Sequence, residues 1–322
     1  MFENKNVLVA GGAGLIGRQL ISLLLNEGAN VSVVDLKKIN IDNVHQAHLD
    51  LTIYDNCLEA CRDMDYVFNL LCAKGSPKAM KERPASHFDP MVLFNTNLLR
   101  AAKACNVEKY LYASTLGVYA PADLFFEDDV WKTFPSANDR FAGWAKRMGE
   151  LQAEAYKIQY NWDHISIVRP ANTYGPYDDF DSDGSMVVPS LIKRILSGHE
   201  EIVVWGDGSN IRDFIHSKDV ARGMMLVIKK SPGPCQPVNL GSGMGYTIKE
   251  LVNVILRYVE KKPKIVWDTN RITGDKIRVL DTTRAMALGF KPAISLEEGI
   301  GDLVGWYTRN NADSAQRKRD RK

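Results

Sequence analysis

The sequence predicts an α/β fold, a doubly wound parallel sheet joined to a smaller mixed α/β region. Three observations lead there. Short β-branched runs alternate with longer segments whose apolar residues recur at three- and four-residue steps, the pattern of successive βαβ units. A glycine cluster, Gly11 to Gly17, separates the first strand-like run from the first helix-like segment. After Arg169-Pro170 the texture changes, because Gly, Pro and Asp gather between Tyr174 and Gly184 and the elements that follow are shorter.

In chain order, strands are expected at Asn6–Ala10, Val31–Asp35, Tyr66–Leu70, Tyr110–Ala113 and His164–Arg169. Helices are expected between them at Leu15–Glu27, Phe88–Cys105 and Asn138–Gln159, and right-handed crossovers stack such helices on both faces of the sheet. Beyond the change of texture, helices are expected at Val188–Ser197, Ser217–Lys229, Ile248–Glu260 and Leu296–Tyr307, with small strands near Ile202–Val204 and Val238–Leu240. The division implied is a first domain over 1–172 and a second over 173–311, with some return of the chain to the first. A basic tail follows over 312–322, carrying Arg317, Lys318, Arg319, Arg321 and Lys322, and is read as a solvated end or an anionic contact.

Composition narrows the function. Hydrophobic residues make up 45% of 322, enough for a sizeable core, while 41 Lys plus Arg against 39 Asp plus Glu leave a net charge of only +2. No nucleic-acid or membrane partner is expected. The apolar stretch from Val7 to Leu25 is cut by four glycines and by Arg18, Gln19 and Ser22, so it reads neither as a secretion signal nor as a membrane span, and a cytoplasmic protein is expected. Cys57, Cys61, Cys72, Cys105 and Cys235 include no CxxC pair and suit a reducing compartment. His45 and His48 stand on an apparent strand without metal-ligand spacing, and no metal is expected.

The glycines of Gly11-Gly12-Ala13-Gly14-Leu15-Ile16-Gly17 carry the strongest local signal. Gly11 suits a tight turn, Gly14 the close approach of backbone to a pyrophosphate, and Gly17 close packing of helix on strand. The amides from Leu15 and Ile16 onward offer donors at the helix N-terminus. Asp35 follows Gly17 by 18 positions, at the end of the second strand, where a carboxylate accepts both ribose hydroxyls and repels a 2′-phosphate. This is a Rossmann-type arrangement, and NAD is expected over NADP although Lys37 and Lys38 come next. Asp50-Leu51 reads either as an adenine-edge contact or as a turn before Thr52. Leu71, Ala73 and Lys74, after the strand at Tyr66–Leu70, are expected to border cofactor and substrate, Lys74 alternatively as a solvated loop residue.

Later motifs extend the pattern. They are Tyr112-Ala113-Ser114-Thr115-Leu116-Gly117-Val118-Tyr119, Phe141-Ala142-Gly143-Trp144-Ala145-Lys146, Arg169 to Pro176, Trp205-Gly206-Asp207-Gly208, Arg212-Asp213-Phe214-Ile215-His216, Asn239-Leu240-Gly241 and the ending from Leu288 to Gly299. Over about residues 4–308 the chain resembles the extended short-chain dehydrogenase/reductases of the nucleotide-sugar epimerase, dehydratase and reductase group. The resemblance implies a second, substrate-binding domain, a nucleoside-diphosphate sugar as substrate, and a homodimer formed through the helices Phe88–Cys105 and Asn138–Gln159. It makes Thr115 the hydroxyl on the sugar and Lys146 the lysine that holds the nicotinamide ribose. Pro170 and Asn172 then line the cofactor, and Asn172, Val188, Arg212 and Arg278 the substrate. The two arginines are candidates for the diphosphate, with surface ion pairs to Asp213 and Asp281 as the alternative.

One position departs from the pattern. The catalytic tyrosine should stand four residues before Lys146, and the residue there is Ala142. Tyr174, Glu127 with its neighbours Asp128 and Asp129, or Lys146 acting through water are the candidate replacements. The acid that dehydratases carry after Ser/Thr is missing from Thr115-Leu116-Gly117, and Gly117 and Met186 stand where fucose-synthase-like enzymes use cysteine and histidine. The stretches Asn172 to Phe180 and Trp267-Asp268-Thr269 look most like enzymes of GDP-linked deoxysugars. The expectation is therefore an NAD-dependent epimerase or dehydratase working by transient hydride transfer. The alternatives are a binding protein without catalysis and a 4-keto-sugar reductase/epimerase resembling fucose synthase.

Overall fold

Strand β1, Asn6–Ala10, is buried along almost its whole length, and its alternate residues serve two different cores. Val7 and Val9 pack into one and Leu8 and Ala10 into the other, as period-two side chains of a central parallel strand must. A computed structural model describes residues 1–73, 82–180, 185–230, 233–271 and 273–319, with side chains through Asn310. Around β1 the strands β2 (Asn30–Val34), β3 (Val44–Ala47), β4 (Tyr66–Asn69), β5 (Lys109–Ala113), β6 (Ile165–Pro170) and β10 (Pro237–Leu240) form a seven-stranded sheet in the order β10-β6-β5-β4-β1-β2-β3. Every pairing in it is parallel.

Helices α1 (Leu15–Asn26) and α6 (Ser217–Lys230) cover one face through Leu20, Ile21, Leu24, Val220 and Met224. On the other face lie α2 (Tyr54–Cys61), α3 (Ala85–Ala104) and α4 (Arg140–Tyr160), through Cys57, Met91, Leu98, Ala145 and Ala153. Short helix α2 was not expected. Strand β10, expected among the small strands of the second half, is the edge of the main sheet, beside β6.

A third core gathers Tyr174, Phe180, Leu191, Phe214, Leu251 and Leu303 from the later elements. Strand β9 (Ile211–His216) is flanked by β11 (Gly245–Thr247), β13 (Ile277–Arg278) and β7 (Asn172–Tyr174), while β8 (Glu201–Trp205) pairs with β12 (Lys264–Asp268). Helices α5 (Val187–Ile195), α7 (Ile248–Arg257), α8 (Thr283–Ala287) and α9 (Leu296–Arg319) complete the chain, α7 starting on a reciprocal Thr247/Glu250 cap. Helix α9 runs well beyond the expected Tyr307, so the backbone of the basic tail is helical as far as Arg319. Residues 308–319 contain neither Gly nor Pro to stop it. No helix among the described residues is long and apolar enough to cross a membrane.

Candidate active site

At the carboxyl end of β1, Gly11 has φ +84°, and a Cβ there would lie 3.1 Å from the carbonyl group of Leu70. A Cβ on Gly17 would stand 2.7 Å from both Gly11 O and Gly12 Cα. Gly12, to which the sequence reading gave no role, is constrained as well, since its Cβ would meet Val33 Cγ1 at 2.5 Å. The signal was there in the β-branched residue of the neighbouring strand. Gly14 differs from all three: its Cβ would meet only Gly11 O, at an ordinary 3.5 Å, and the rest of that side is open. Gly14 is also the residue that opens α1, and no side chain caps that end. The turn therefore presents uncapped amides beside an open approach, which fits a pyrophosphate.

The Asp35 carboxylate accepts from Ala13 N and from Lys37 N, both at 2.9 Å, tying the glycine turn to the end of β2. Each oxygen keeps a lone pair for a ribose hydroxyl. Asp50 accepts from Thr52 N at 2.9 Å and Thr52 Oγ1 at 2.7 Å, the turn geometry of its alternative reading, and Leu51 beside it is buried.

Lys146, on α4, is only 3% exposed, and its Nζ donates to Leu71 O at 2.9 Å and to Ala113 O at 2.7 Å. The ammonium thus stands between the ends of β4 and β5 with a third proton still to give. Burial lowers its pKa, and the neighbouring Cys72 and Glu150 oppose that. Half-buried Leu71 and Ala73 lie in the same stretch, whereas Lys74 is outside the described residues. Thr115, at the end of β5, is half-buried, and its Oγ1 accepts from Gly117 N at 3.2 Å. Ala142 lies on α4 between Asp139 and Lys146 and packs on the core under that helix. A Cβ on Gly143 would collide with Gly117 O and lie 2.7 Å from Pro135 Cβ. Two glycines therefore let the start of α4 press against the turn after Thr115.

Glu127, Tyr174, Asp128 and Asp129, among the candidate replacements for the tyrosine, are engaged elsewhere. Glu127, 5% exposed, accepts from Asn239 N at 3.0 Å, and burial raises its pKa. Its carbonyl accepts from Arg169, which is held by Glu150 in a buried ion pair of 2.6 Å. Glu127 is thus part of the support under β6 and β10. The Tyr174 hydroxyl donates toward Ser295 O at 3.5 Å and lies where a Cβ on Gly299 would be, so it faces α9 and not the end of β5. Asp128 pairs with Arg284 and Asp129 with Lys132. Val188, expected to line the substrate, is buried in the third core. Pro170 ends β6 in register with Leu240, and Asn172 donates to Asp213 O at 3.0 Å, fastening β7 to β9.

The two arginines come together, but not with the partners expected. Arg278 pairs with Asp139, and its Nε is 3.8 Å from Asp275, whereas Asp281 bonds Thr283. Arg212 donates to Ile211 O at 2.7 Å, while Asp213 is buried and accepts from Ser242 N at 2.8 Å and Oγ at 2.6 Å. Burial, and then the like charge of Arg278, lower the Arg212 pKa to about 10. Asp275 is held by Ser136 at 2.8 Å and Asn138 at 2.9 Å. Two adjacent guanidiniums, one of them strained by burial, are a ready site for a polyanion. Asp139 was missed from the sequence because nothing in its neighbourhood announces a partner 139 residues away.

Residues 7–241, which take in nearly all of the first half and β10, match the model of the NAD dependent epimerase/dehydratase family. The chain belongs to that family. It is 30% identical over 317 residues to GDP-L-fucose synthase 1 of Arabidopsis thaliana, covering 96% of this chain and 94% of that protein. Its fold matches the UDP-glucose 4-epimerase of Thermotoga maritima solved with UDP-glucose, with a TM-score of 0.84, 27% identity and coverage of 95% and 99%. The UDP-glucose 4-epimerase of Thermus thermophilus, solved in complex with NAD, matches with a TM-score of 0.82, 25% identity and coverage of 94% and 99%.

Proposed function

We propose that this enzyme epimerises a GDP-linked sugar by reversible hydride transfer with a bound NAD. The observation that carries the reading is the convergence of Thr115 and Lys146 at the ends of β4 and β5 with the Arg212/Arg278 pair beside the same turn. When bound, the dinucleotide accepts a hydride from the sugar and returns it. The chain supplies the rest. The open side of Gly14 and the uncapped start of α1 receive the pyrophosphate, and Asp35 the adenosine ribose, which favours NAD over NADP. Lys146 holds the nicotinamide ribose, Thr115 orients the reacting sugar hydroxyl, and Arg212 and Arg278 grip the diphosphate. Epimerisation is favoured over dehydration because Leu116 and Gly117 carry no acid after Thr115.

Similarity to a GDP-L-fucose synthase over nearly the whole chain supports the GDP base, and it also supports a second reading, a 4-keto-sugar epimerase/reductase. Exposed Phe141, Met148, Leu151 and Ile158 along α4, with Leu93 on α3, support a homodimer through those helices. Free thiols at all five cysteines support a reducing compartment such as the cytoplasm.

The test is to denature the purified protein, identify the released dinucleotide, and follow GDP-, UDP- and dTDP-sugars in deuterated water by NMR. NAD and a GDP-sugar converted without net cofactor consumption are expected. Stoichiometric oxidation of NADPH would select the reductase instead, and no conversion of any sugar would leave a binding protein.

A further inference from the structure

We propose that Asp139 is the proton acceptor that replaces the missing tyrosine. The inference rests on the hydride-transfer reading above and goes beyond it by naming the base. Asp139 immediately precedes α4, and positions 139, 142 and 146 follow the i, i+3, i+7 spacing of one helix face. The carboxyl group therefore stands one turn from Ala142, on the side from which Lys146 reaches β4 and β5.

Gly117 fixes where that carboxyl group lies. A Cβ on Gly117 would be 3.3 Å from Asp139 Cβ and Cγ and 3.4 Å from Thr115 Cγ2. The Asp139 carboxyl carbon and the Thr115 methyl thus lie on the same side of Gly117, which has no side chain to part them. Among the described residues Arg278 engages Oδ2 of Asp139, while Oδ1 carries no hydrogen bond. The Asp139 side chain is 25% exposed, so a substrate hydroxyl can reach it. The other acids considered have their partners away from the turn after Thr115: Glu127 bonds Asn239, Asp128 pairs with Arg284 and Asp129 with Lys132.

The step balances. The sugar hydroxyl, held by Thr115, gives its proton to Oδ1 of Asp139, and the O–H electron pair becomes the second bond of the new carbonyl. The C–H pair leaves as hydride to the oxidised dinucleotide; return of the hydride to the opposite face of the carbonyl carbon, with return of the proton from Asp139 to the carbonyl oxygen, inverts the centre and regenerates the carboxylate.

The full chain carries the test. Asp139→Asn is expected to slow single-turnover nicotinamide reduction with the GDP-sugar by ~10²–10⁴-fold, with Asp139→Glu retaining part of the rate and formate restoring part of it to Asp139→Ala. Calorimetry with GDP alone gives the second readout: Asp139→Asn is expected to bind GDP at least as tightly as the parent, because Arg278 is released toward the diphosphate. The proposal is overturned if Asp139→Asn reduces the nicotinamide within about tenfold of the parent rate. It is also overturned if GDP affinity and rate fall together, which would make Asp139 a positioning residue for Arg278. An active parent with an active Asp139→Asn variant removes this inference alone, whereas a parent that reduces no nicotinamide removes the hydride-transfer reading with it.

Discussion

At the dinucleotide end of the site, seven consecutive residues from Gly11 to Gly17 make the whole turn, and three of its four glycines are there because a Cβ would strike main chain or the next strand. At the proposed sugar end the facing groups come from four separate segments, around Thr115, Asp139, Arg212 and Arg278; main chain joins Arg212 to Arg278 through the pairing of β9 with β13, and a side-chain ion pair joins Arg278 to Asp139. A site made of backbone tolerates few substitutions but announces itself in sequence. Where a site is made of side chains on distant elements, position 142 can carry Ala without disturbing the fold, because the clamp between Gly117 and Gly143 does not use that position.

The largest effect that would sharpen this contrast comes from two valines. Gly17→Val places branched carbon against Gly11 O and Gly12, and is expected to destabilise the protein by about 3 kcal/mol, measured by denaturant unfolding. Gly14→Val meets open space, so stability should be kept while NAD affinity falls by ~100-fold, about 2.7 kcal/mol by calorimetry. Unchanged affinity in a folded Gly14→Val protein would break the assignment of the turn.

At the other end, Arg212→Ala and Arg278→Ala are each expected to weaken binding of the sugar nucleotide by about 1.5–3 kcal/mol and to leave NAD binding intact. A variant with normal sugar-nucleotide affinity would show that its arginine serves only the ion pairs and carbonyls it touches in the free protein.

The smallest expected change is at Ala142. With the proton handled at Asp139, Ala142→Tyr adds a ring one helical turn from Lys146 that crowds the sugar, and turnover should fall by about tenfold, ~1.4 kcal/mol. A faster Ala142→Tyr enzyme would mean that the tyrosine position is still the productive one.

Much of the fold was legible because its causes are local. The alternation of strand and helix patterns, the glycine turn, Asp35 after β2 and Thr115 after β5 lie within short windows. Short helix α2 and strand β9 were not legible. In β9 the charges of Arg212 and Asp213 hide a strand whose Asp213 is buried to bond the backbone of Ser242 and Gly243. Val188, which the resemblance placed at the substrate, and Tyr174, a candidate for the missing tyrosine, both face the third core.

By itself the sequence determined the sheet, the dinucleotide turn and the positions of Thr115, Lys146 and Ala142, since periodicity and glycine spacing act over a few residues. Only the tertiary structure decided which partners each carboxylate meets. It buried Glu127 against Asn239, turned Asp275 toward Ser136 and Asn138, and set Asp139 between Gly117 and Arg278. The physical reason is that the competition of a charged group for hydrogen bonds, partner charges and burial is settled by neighbours in space, and those neighbours come from parts of the chain that no local pattern connects.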